Sequence, residues 1–289
     1  MTVEIHPLYL DFFRFLEEMA AEDPWPAYRR LYLEPHEDFL AAYWERFDHF
    51  SPEQIAERVR RIKKEDYHQL RALVRMQDPA ALAAGALRKC LEAFPLTPPP
   101  PVYLFVGFFS ADGATVDVRR APAIALGLER FKDFAEIPLL VAHEYCHCAQ
   151  RLLLKGKVRE EEGPLLHRMI SEGLAVLFTE VVYPHLPLHR HLFLPPERLR
   201  WCRENQEALL ELAGADLAER KLIPVFFGPG DPNAGLPPRL GYFLARQMVG
   251  HCLSHHGAEP FEETFPGFGG LFRRILEAGI LAAEEKKKE

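Results

Sequence analysis

One five-residue segment, His143-Glu144-Tyr145-Cys146-His147, combines two histidines and a glutamate at a spacing that suits metal chemistry. In an α-helix, residues four positions apart lie on the same face, so both imidazoles can reach one ion. Glu144 follows the first histidine, where it can contact a water on the metal without being a ligand itself. This HExxH pattern pairs two zinc ligands with a glutamate general base. The segment therefore predicts a hydrolytic zinc centre.

The sequence before the motif indicates that its helix is buried. Residues 137–142 are apolar almost without interruption, and Pro138 suits the first turn of a helix, where its missing N–H group is not needed. Histidines and a glutamate inside a buried helix need partners, because unpaired buried polar groups are costly. A zinc ion with an activated water supplies those partners. The alternative, a surface helix with two unrelated histidines, does not explain the apolar context.

The third zinc ligand must come from another part of the chain, since a catalytic zinc ion usually has three protein ligands and one open position. Glu172 heads an apolar run that continues to Val182, which predicts a second buried helix with one carboxylate near its start. The polar residues 155–162 predict a loop that returns Glu172 towards the histidines. His167 is the alternative ligand, or else a solvent-facing histidine. We favour Glu172 because apolar residues surround it.

Two motifs together, HEYCH and then SEGLA some two dozen residues later, resemble bacterial predicted zinc-dependent proteases catalogued as a domain of unknown function. More broadly, the chain is similar to gluzincin metallopeptidases, whose zinc ligands are His, His and Glu. The resemblance extends from about Pro101 to the helix after Gly241. It implies one Zn²⁺ per chain, with Glu172 as the third ligand and Glu144 as the general base.

The chain departs from the thermolysin pattern in two respects. The spacing to Glu172 is longer, and Val176 stands where an aspartate would follow one turn after the third ligand. A carboxylate that would orient a histidine ligand is therefore not identified. Glu180 and Glu136 are candidates for that role, although each could equally be a solvated charge.

The Gly241-Tyr242 pair, which opens a late helix-like segment, also resembles the family. In gluzincins, a tyrosine or histidine from the C-terminal half donates a hydrogen bond to the oxyanion of the tetrahedral intermediate. The resemblance implies Tyr242 for this role, with His251 as the alternative. Tyr242 could equally be a core residue with its hydroxyl at the surface. We interpret His251, His255 and His256 as an exposed helix end rather than a second metal site.

Composition favours a soluble protein and excludes several classes. The net charge of −7 and the pI of about 6.0 leave no basic footprint for nucleic acid. No segment has the length of a membrane-spanning helix, and residues 1–6 lack the pattern of a signal peptide. We therefore expect a cytoplasmic protein with a peptide or protein substrate. The scarcity of asparagine is typical of thermophiles, although GC-rich coding could contribute.

The five cysteines are too scattered to form a disulfide framework. Cys146 and Cys148 lie beside the motif histidines, where a structural zinc site is conceivable. Such a site usually needs a second short motif of ligands, which the chain lacks. We therefore predict that both cysteines are small buried hydrophobic residues.

The N-terminal third has helical character. Apolar residues recur at helical spacing from Leu8 to Met19, Ser51-Pro52 is a capping-like helix start, and Asp78-Pro79 begins another helix. Three short strands follow, over residues 102–109, 114–118 and 123–126. A peptide can add to the edge of such a sheet through main-chain hydrogen bonds, but the sequence does not identify the edge strand.

Together these elements predict an α+β, mostly helical fold with a small, mainly antiparallel sheet beside the motif helix. The resemblance implies a gluzincin-like or thermolysin-like architecture. We divide the chain into an N-terminal helical region (1–97), a zinc-binding module (98–190) and a C-terminal helical module (191–289).

The function that this sequence favours is hydrolysis of peptide bonds by a zinc-dependent enzyme. One alternative is a zinc hydrolase of a small non-peptide amide or ester. A second is a catalytically inactive zinc scaffold that binds a partner, although a purely structural site would not need Glu144.

Overall fold

The computed structural model describes residues 2–20, 22–46, 51–154 and 163–256 of the chain. These residues are predominantly helical and include one four-stranded sheet. The chain divides into two compact units, residues 1–148 and 149–289, which are described in turn. The three-module division based on the sequence stays a prediction.

Helices make up most of the first unit. They are α1 (Tyr9–Glu18), α2 (Trp25–Tyr28), α3 (Glu37–Trp44), α4 (Pro52–Arg60), α5 (His68–Met76), α6 (Pro79–Ala93) and α7 (Ile137–Leu154), the last of which continues beyond residue 148. Ser51 and Gln54 form a reciprocal capping box at the start of α4. The Asp78 side chain accepts hydrogen bonds from two backbone N–H groups at the start of α6. Both predicted helix starts are confirmed.

The sheet consists of β1 (Ile5–His6), β2 (Val102–Phe105), β3 (Gly113–Val118) and β4 (Ala121–Gly127), in the order β1-β2-β4-β3. β2 is parallel to both β1 and β4, and only β3 and β4 are antiparallel. The sheet is therefore mixed, and the prediction of a mainly antiparallel sheet is wrong. β3 lies at the edge of the sheet, and β4 lies between β2 and β3. β4 is antiparallel to β3 and has the same direction as β2.

A two-residue turn joins β3 to β4, and its composition explains why the sequence did not reveal it. Val118 pairs with Ala121, and the intervening Arg119 and Arg120 have φ angles of 49° and 68°. A hairpin turn with positive φ at both positions usually carries Asn or Gly. Two arginines give no such signal.

The predicted strand over residues 102–109 ends early, at Phe105, because the chain then enters a left-handed loop. Phe108 and Phe109 have φ angles of 54° and 59°. The Glu129 Oε1 atom accepts hydrogen bonds from the backbone N–H groups of Gly107, at 2.6 Å, and Phe109, at 2.8 Å. One carboxylate thus replaces the ladder partners that this segment of backbone lacks.

Within the second unit, the described helices after the end of α7 are α8 (Leu165–Val182), α9 (Leu188–His191), α10 (Pro196–Glu204), α11 (Gln206–Gly214), α12 (Ile223–Phe227) and α13 (Gly241–His256). α8 and α13 pack closely at Gly173, where an added Cβ would lie 2.4 Å from the carbonyl oxygen of Ala245. Arg246 of α13 donates to both carboxylate oxygens of Glu180 on α8, each at 2.9 Å. The glycine of SEGLA is therefore explained by the approach of another backbone.

No helix in the described part of the chain combines the length and the apolar character needed to cross a membrane.

Candidate metal centre

The HEYCH segment lies in the middle of α7 and is almost inaccessible to solvent. His143 and His147 are 3% and 5% exposed, and Tyr145 and Cys146 are completely buried. The predicted burial of this helix is confirmed, as is that of Cys148. The helix backbone thus holds both imidazoles on one face inside the protein.

The two histidine side chains point at a common position. Their Nε2 atoms are 3.1 Å apart. Two nitrogens bound to one tetrahedral zinc ion at the usual bond length would be about 3.3 Å apart. The rings therefore already have nearly the separation that a shared ion requires.

Glu172 completes a group of three potential ligands. The ligand atoms of His143, His147 and Glu172 all lie within 4.8 Å of one another, and all three residues are buried. This is the one such group found among the described residues, and the rival ligand His167 is not a member. Two imidazole nitrogens and one carboxylate oxygen form the donor set of a catalytic zinc site, which leaves a fourth position open. The residues present therefore fit a zinc ion.

The carboxylate of Glu144 has a defined hydrogen-bond partner in the sheet. Thr115 Oγ1 lies 2.8 Å from Glu144 Oε2, and Thr115 is buried at 2% exposure. Because Thr115 lies on β3, the edge strand is directly connected to the motif helix. Sequence reasoning missed Thr115, since nothing in the spacing of the motif indicates which strand residue faces it.

The edge of β3 that faces away from β4 can be identified from its hydrogen bonds. Gly127 N–H donates to the Asp112 carbonyl at 3.1 Å, and pairs alternate along an antiparallel ladder. The backbone groups of Gly113, Thr115 and Asp117 therefore point away from β4. The carbonyl of Thr115 accepts a hydrogen bond from the Arg46 guanidinium. β3 is thus an edge strand with outward backbone groups next to Glu144.

Glu172 also has a charged partner that sequence reasoning missed. Arg168 Nη2 lies 2.6 Å from Glu172 Oε1, one helical turn earlier on α8. Glu172 is 1% exposed and Arg168 is 20% exposed. The i, i+4 spacing of an arginine and a glutamate was the available signal for this pair.

The first residue of the SEGLA motif anchors the end of α7 to α8. Gln150 Nε2 donates to the Ser171 carbonyl at 3.0 Å, and the Ser171 hydroxyl donates to Gln150 Oε1. Both side chains are buried, so each satisfies the other. This pair fixes the residue that precedes Glu172.

Tyr242 is half-buried in the first turn of α13. Its ring packs edge-on against Phe227 and Phe193, with centroid distances of 5.5 and 6.3 Å. This environment accounts for the ring, and the role of the hydroxyl as an oxyanion donor stays a prediction.

The remaining candidates lie in ordinary surface or pairing environments. His251 is exposed, and its ring stacks on His255 at 4.0 Å. Glu180 binds Arg246 through both oxygens, and Glu136 is exposed. The described contacts of these two glutamates do not include either motif histidine.

Comparison with known proteins gave one informative result. A family model described as "Predicted Zn-dependent protease (DUF2268)" matches residues 110–266. Searches of curated proteins and of solved structures found no significant match. The matched segment contains the HEYCH helix, Glu172 and Tyr242, and begins shortly before β3.

Proposed function

Because the chain belongs to the family described as predicted Zn-dependent protease, we propose that it is a zinc metallopeptidase of the gluzincin type. The observation that carries this proposal is the convergence of His143, His147 and Glu172 in a buried group. These three residues would hold the ion. When bound, a zinc ion supplies a Lewis acid that polarises a carbonyl group and lowers the pKa of water.

Glu144 is the general base in this proposal. It is buried beside the ligand group on the same helix, and it takes the proton from the attacking water and passes it to the leaving amine. The hydrogen bond from Thr115 engages Oε2 at 2.8 Å. That contact holds the carboxylate in one orientation, which leaves Oε1 to handle the proton.

The edge of β3 that faces away from β4 is the proposed binding surface for the peptide. Outward backbone groups at Gly113 and Thr115 can pair with an extended substrate, as in other cases of strand addition. The substrate would replace the guanidinium of Arg46 at the Thr115 carbonyl. Tyr242 is the proposed donor to the oxyanion, since charge develops on the scissile carbonyl oxygen and a fixed donor stabilises it.

The test of this function combines metal content with turnover. Wild type and Glu144→Gln are loaded with zinc, quantified by elemental mass spectrometry, and assayed against a mixed library of quenched fluorescent peptides. We expect about one zinc per chain in both proteins, because Glu144 is not a ligand. Cleavage should fall by at least 10²-fold in Glu144→Gln, since proton transfer by a positioned group contributes about 10²–10⁴-fold.

Three outcomes would contradict the proposal. If the wild type contains no zinc after zinc loading, the proposed metal site is wrong. If wild type and Glu144→Gln cleave peptides at the same rate, the assignment of Glu144 as the general base is wrong. Zinc-loaded wild type that cleaves small amides or esters but no peptide would change the substrate class.

A further inference from the structure

Two glutamates of helix α8 pair with arginines, and the two pairs differ in their surroundings. Arg168 and Glu172 lie on the same helix, and the carboxylate of Glu172 is 1% exposed. Arg246 and Glu180 join two helices, with side chains that are 29% and 26% exposed. A carboxylate as buried as Glu172 needs a partner, because the desolvation of an unpaired charge is costly. The pair at Glu172 therefore compensates a buried charge, which an ordinary surface ion pair does not.

We propose that Arg168 is a positioning residue for the third metal ligand, and this inference rests on the metal site of the proposed function. Arg168 Nη2 engages Oε1 of Glu172 at 2.6 Å. A carboxylate held by one oxygen cannot rotate freely about its terminal bond. Arg168 thereby fixes the plane of the carboxylate that Glu172 would present to the ion. Partners of this kind orient metal ligands and tune their affinity.

Arg168 is itself held in place by an aromatic ring. Its guanidinium carbon lies 5.6 Å from the centroid of the Phe227 ring on α12. Phe227 packs against the buried apolar cluster of the second unit and contacts the ring of Tyr242. A planar guanidinium favours such a face, and a lysine ammonium would not reproduce both the stacking and the fork geometry. The arginine is thus preorganised before the ion binds.

A purely competitive role for Arg168 predicts the opposite result. If the guanidinium only neutralised Glu172 and had to give it up to the ion, its removal would tighten metal binding. If it positions the carboxylate, its removal loosens metal binding. The sign of the change in zinc affinity separates the two roles.

The experiment measures the dissociation constant of zinc by competition with a chelator, starting from metal-free full-length protein. The variants are Arg168→Met, which keeps much of the side-chain length, and Arg168→Lys, which keeps the charge. Arg246→Met is the matched control, since Arg246 of α13 pairs with Glu180, which lies about two helical turns beyond Glu172 on α8. We expect Arg168→Met to bind zinc about 10–100-fold more weakly than wild type. Arg168→Lys should lose most of the same factor, and Arg246→Met should keep the wild-type affinity.

A second variant keeps the inference testable if Arg168→Met does not fold, as judged by circular dichroism. Phe227→Leu leaves the Arg168 side chain intact and removes the aromatic ring beneath its guanidinium, so zinc affinity should fall a few-fold. Wild-type or tighter zinc binding by a folded Arg168→Met, or by Phe227→Leu in its place, overturns the inference and leaves the proposed function standing. A wild-type chain that binds no zinc overturns both.

Discussion

Two glutamates, Glu172 on α8 and Glu129 after β4, show how differently one side chain can be used. Glu172 faces a guanidinium and forms a group with two histidines. Glu129 instead accepts backbone N–H groups from the left-handed loop, while within the described residues its solvent-shielded Oε2 has no hydrogen-bond partner. Burial raises the pKa of Glu129 to about 7, although the backbone donors and Arg130 act in the opposite direction. Burial alone therefore does not mark a metal ligand, and the partners of the carboxylate decide its use.

The largest expected effect is a loss of bound metal when the carboxylate of Glu172 is removed. Removal of the carboxylate of Glu129 should have no such effect. If Glu172 is the third ligand as proposed, Glu172→Ala should reduce zinc from the proposed one per chain to near zero. The loss of affinity should exceed the roughly 10–100-fold that removal of an outer partner costs. Glu129→Ala is the control and should retain the metal. Elemental analysis of both variants, purified in parallel, makes the comparison, and equal zinc content in the two would invalidate the distinction.

A second prediction concerns the close packing of α8, the helix that carries Glu172, against α13. Gly173→Ala would place a methyl group 2.4 Å from the Ala245 carbonyl oxygen, so α8 and α13 would have to separate. We expect a loss of about 1–3 kcal/mol in the free energy of unfolding, typical of overpacking. Denaturation by urea measures it.

Gly85→Ala is the matched control for this substitution. Gly85 lies within α6, and a Cβ there would meet no atom within 4 Å. Because alanine is the better helix former, Gly85→Ala should raise the free energy of unfolding by about 0.5–1 kcal/mol. If both substitutions shift stability in the same direction, close packing at Gly173 is not the cause.

A further expected effect is the pH dependence of stability contributed by Glu129. Its pKa in the folded chain, about 7, lies above the ordinary value of 4.5, so the folded state holds the proton more tightly than the unfolded state. Its stabilising contribution is complete below pH 4.5 and is lost as the pH rises through about 7. Glu129→Gln cannot titrate, so this decline should be absent.

The measurement is chemical denaturation of wild type and Glu129→Gln at pH 5 and pH 8. Other titrating groups are common to both proteins and cancel in the difference. Wild type should lose more stability than Glu129→Gln between the two pH values. Parallel curves would show that Glu129 is an ordinary carboxylate and would remove its contrast with Glu172.

The parts that could be predicted from the sequence are those set by local spacing. The i, i+4 histidines, the apolar residues around Glu172 and the caps at Ser51 and Asp78 each act within a few residues of chain. Local spacing is sufficient for such features because helix geometry is fixed by neighbouring residues.

The parts that could not be predicted depend on contacts that are distant in sequence or on backbone without a signal. β1 is two residues long, and its pairing with β2 joins Ile5 to Val102. The contact between Thr115 and Glu144 requires knowing that β3 lies at the edge of the sheet. The β3–β4 turn uses arginines at positive φ, where sequence patterns favour glycine or asparagine.

The cysteine thiols of the chain can report on the local unfolding of the helices that bury them. Cys90, Cys146, Cys148 and Cys202 are completely buried, and Cys252 is partly exposed. Burial raises the pKa of Cys202 to about 11, which further suppresses the reactive thiolate. A thiol reagent should therefore modify Cys252 first and reach the others only when their helices open. Labelling rates at Cys90 and at Cys202 would then measure the opening of residues 1–148 and of residues 149–289 separately, without any introduced probe.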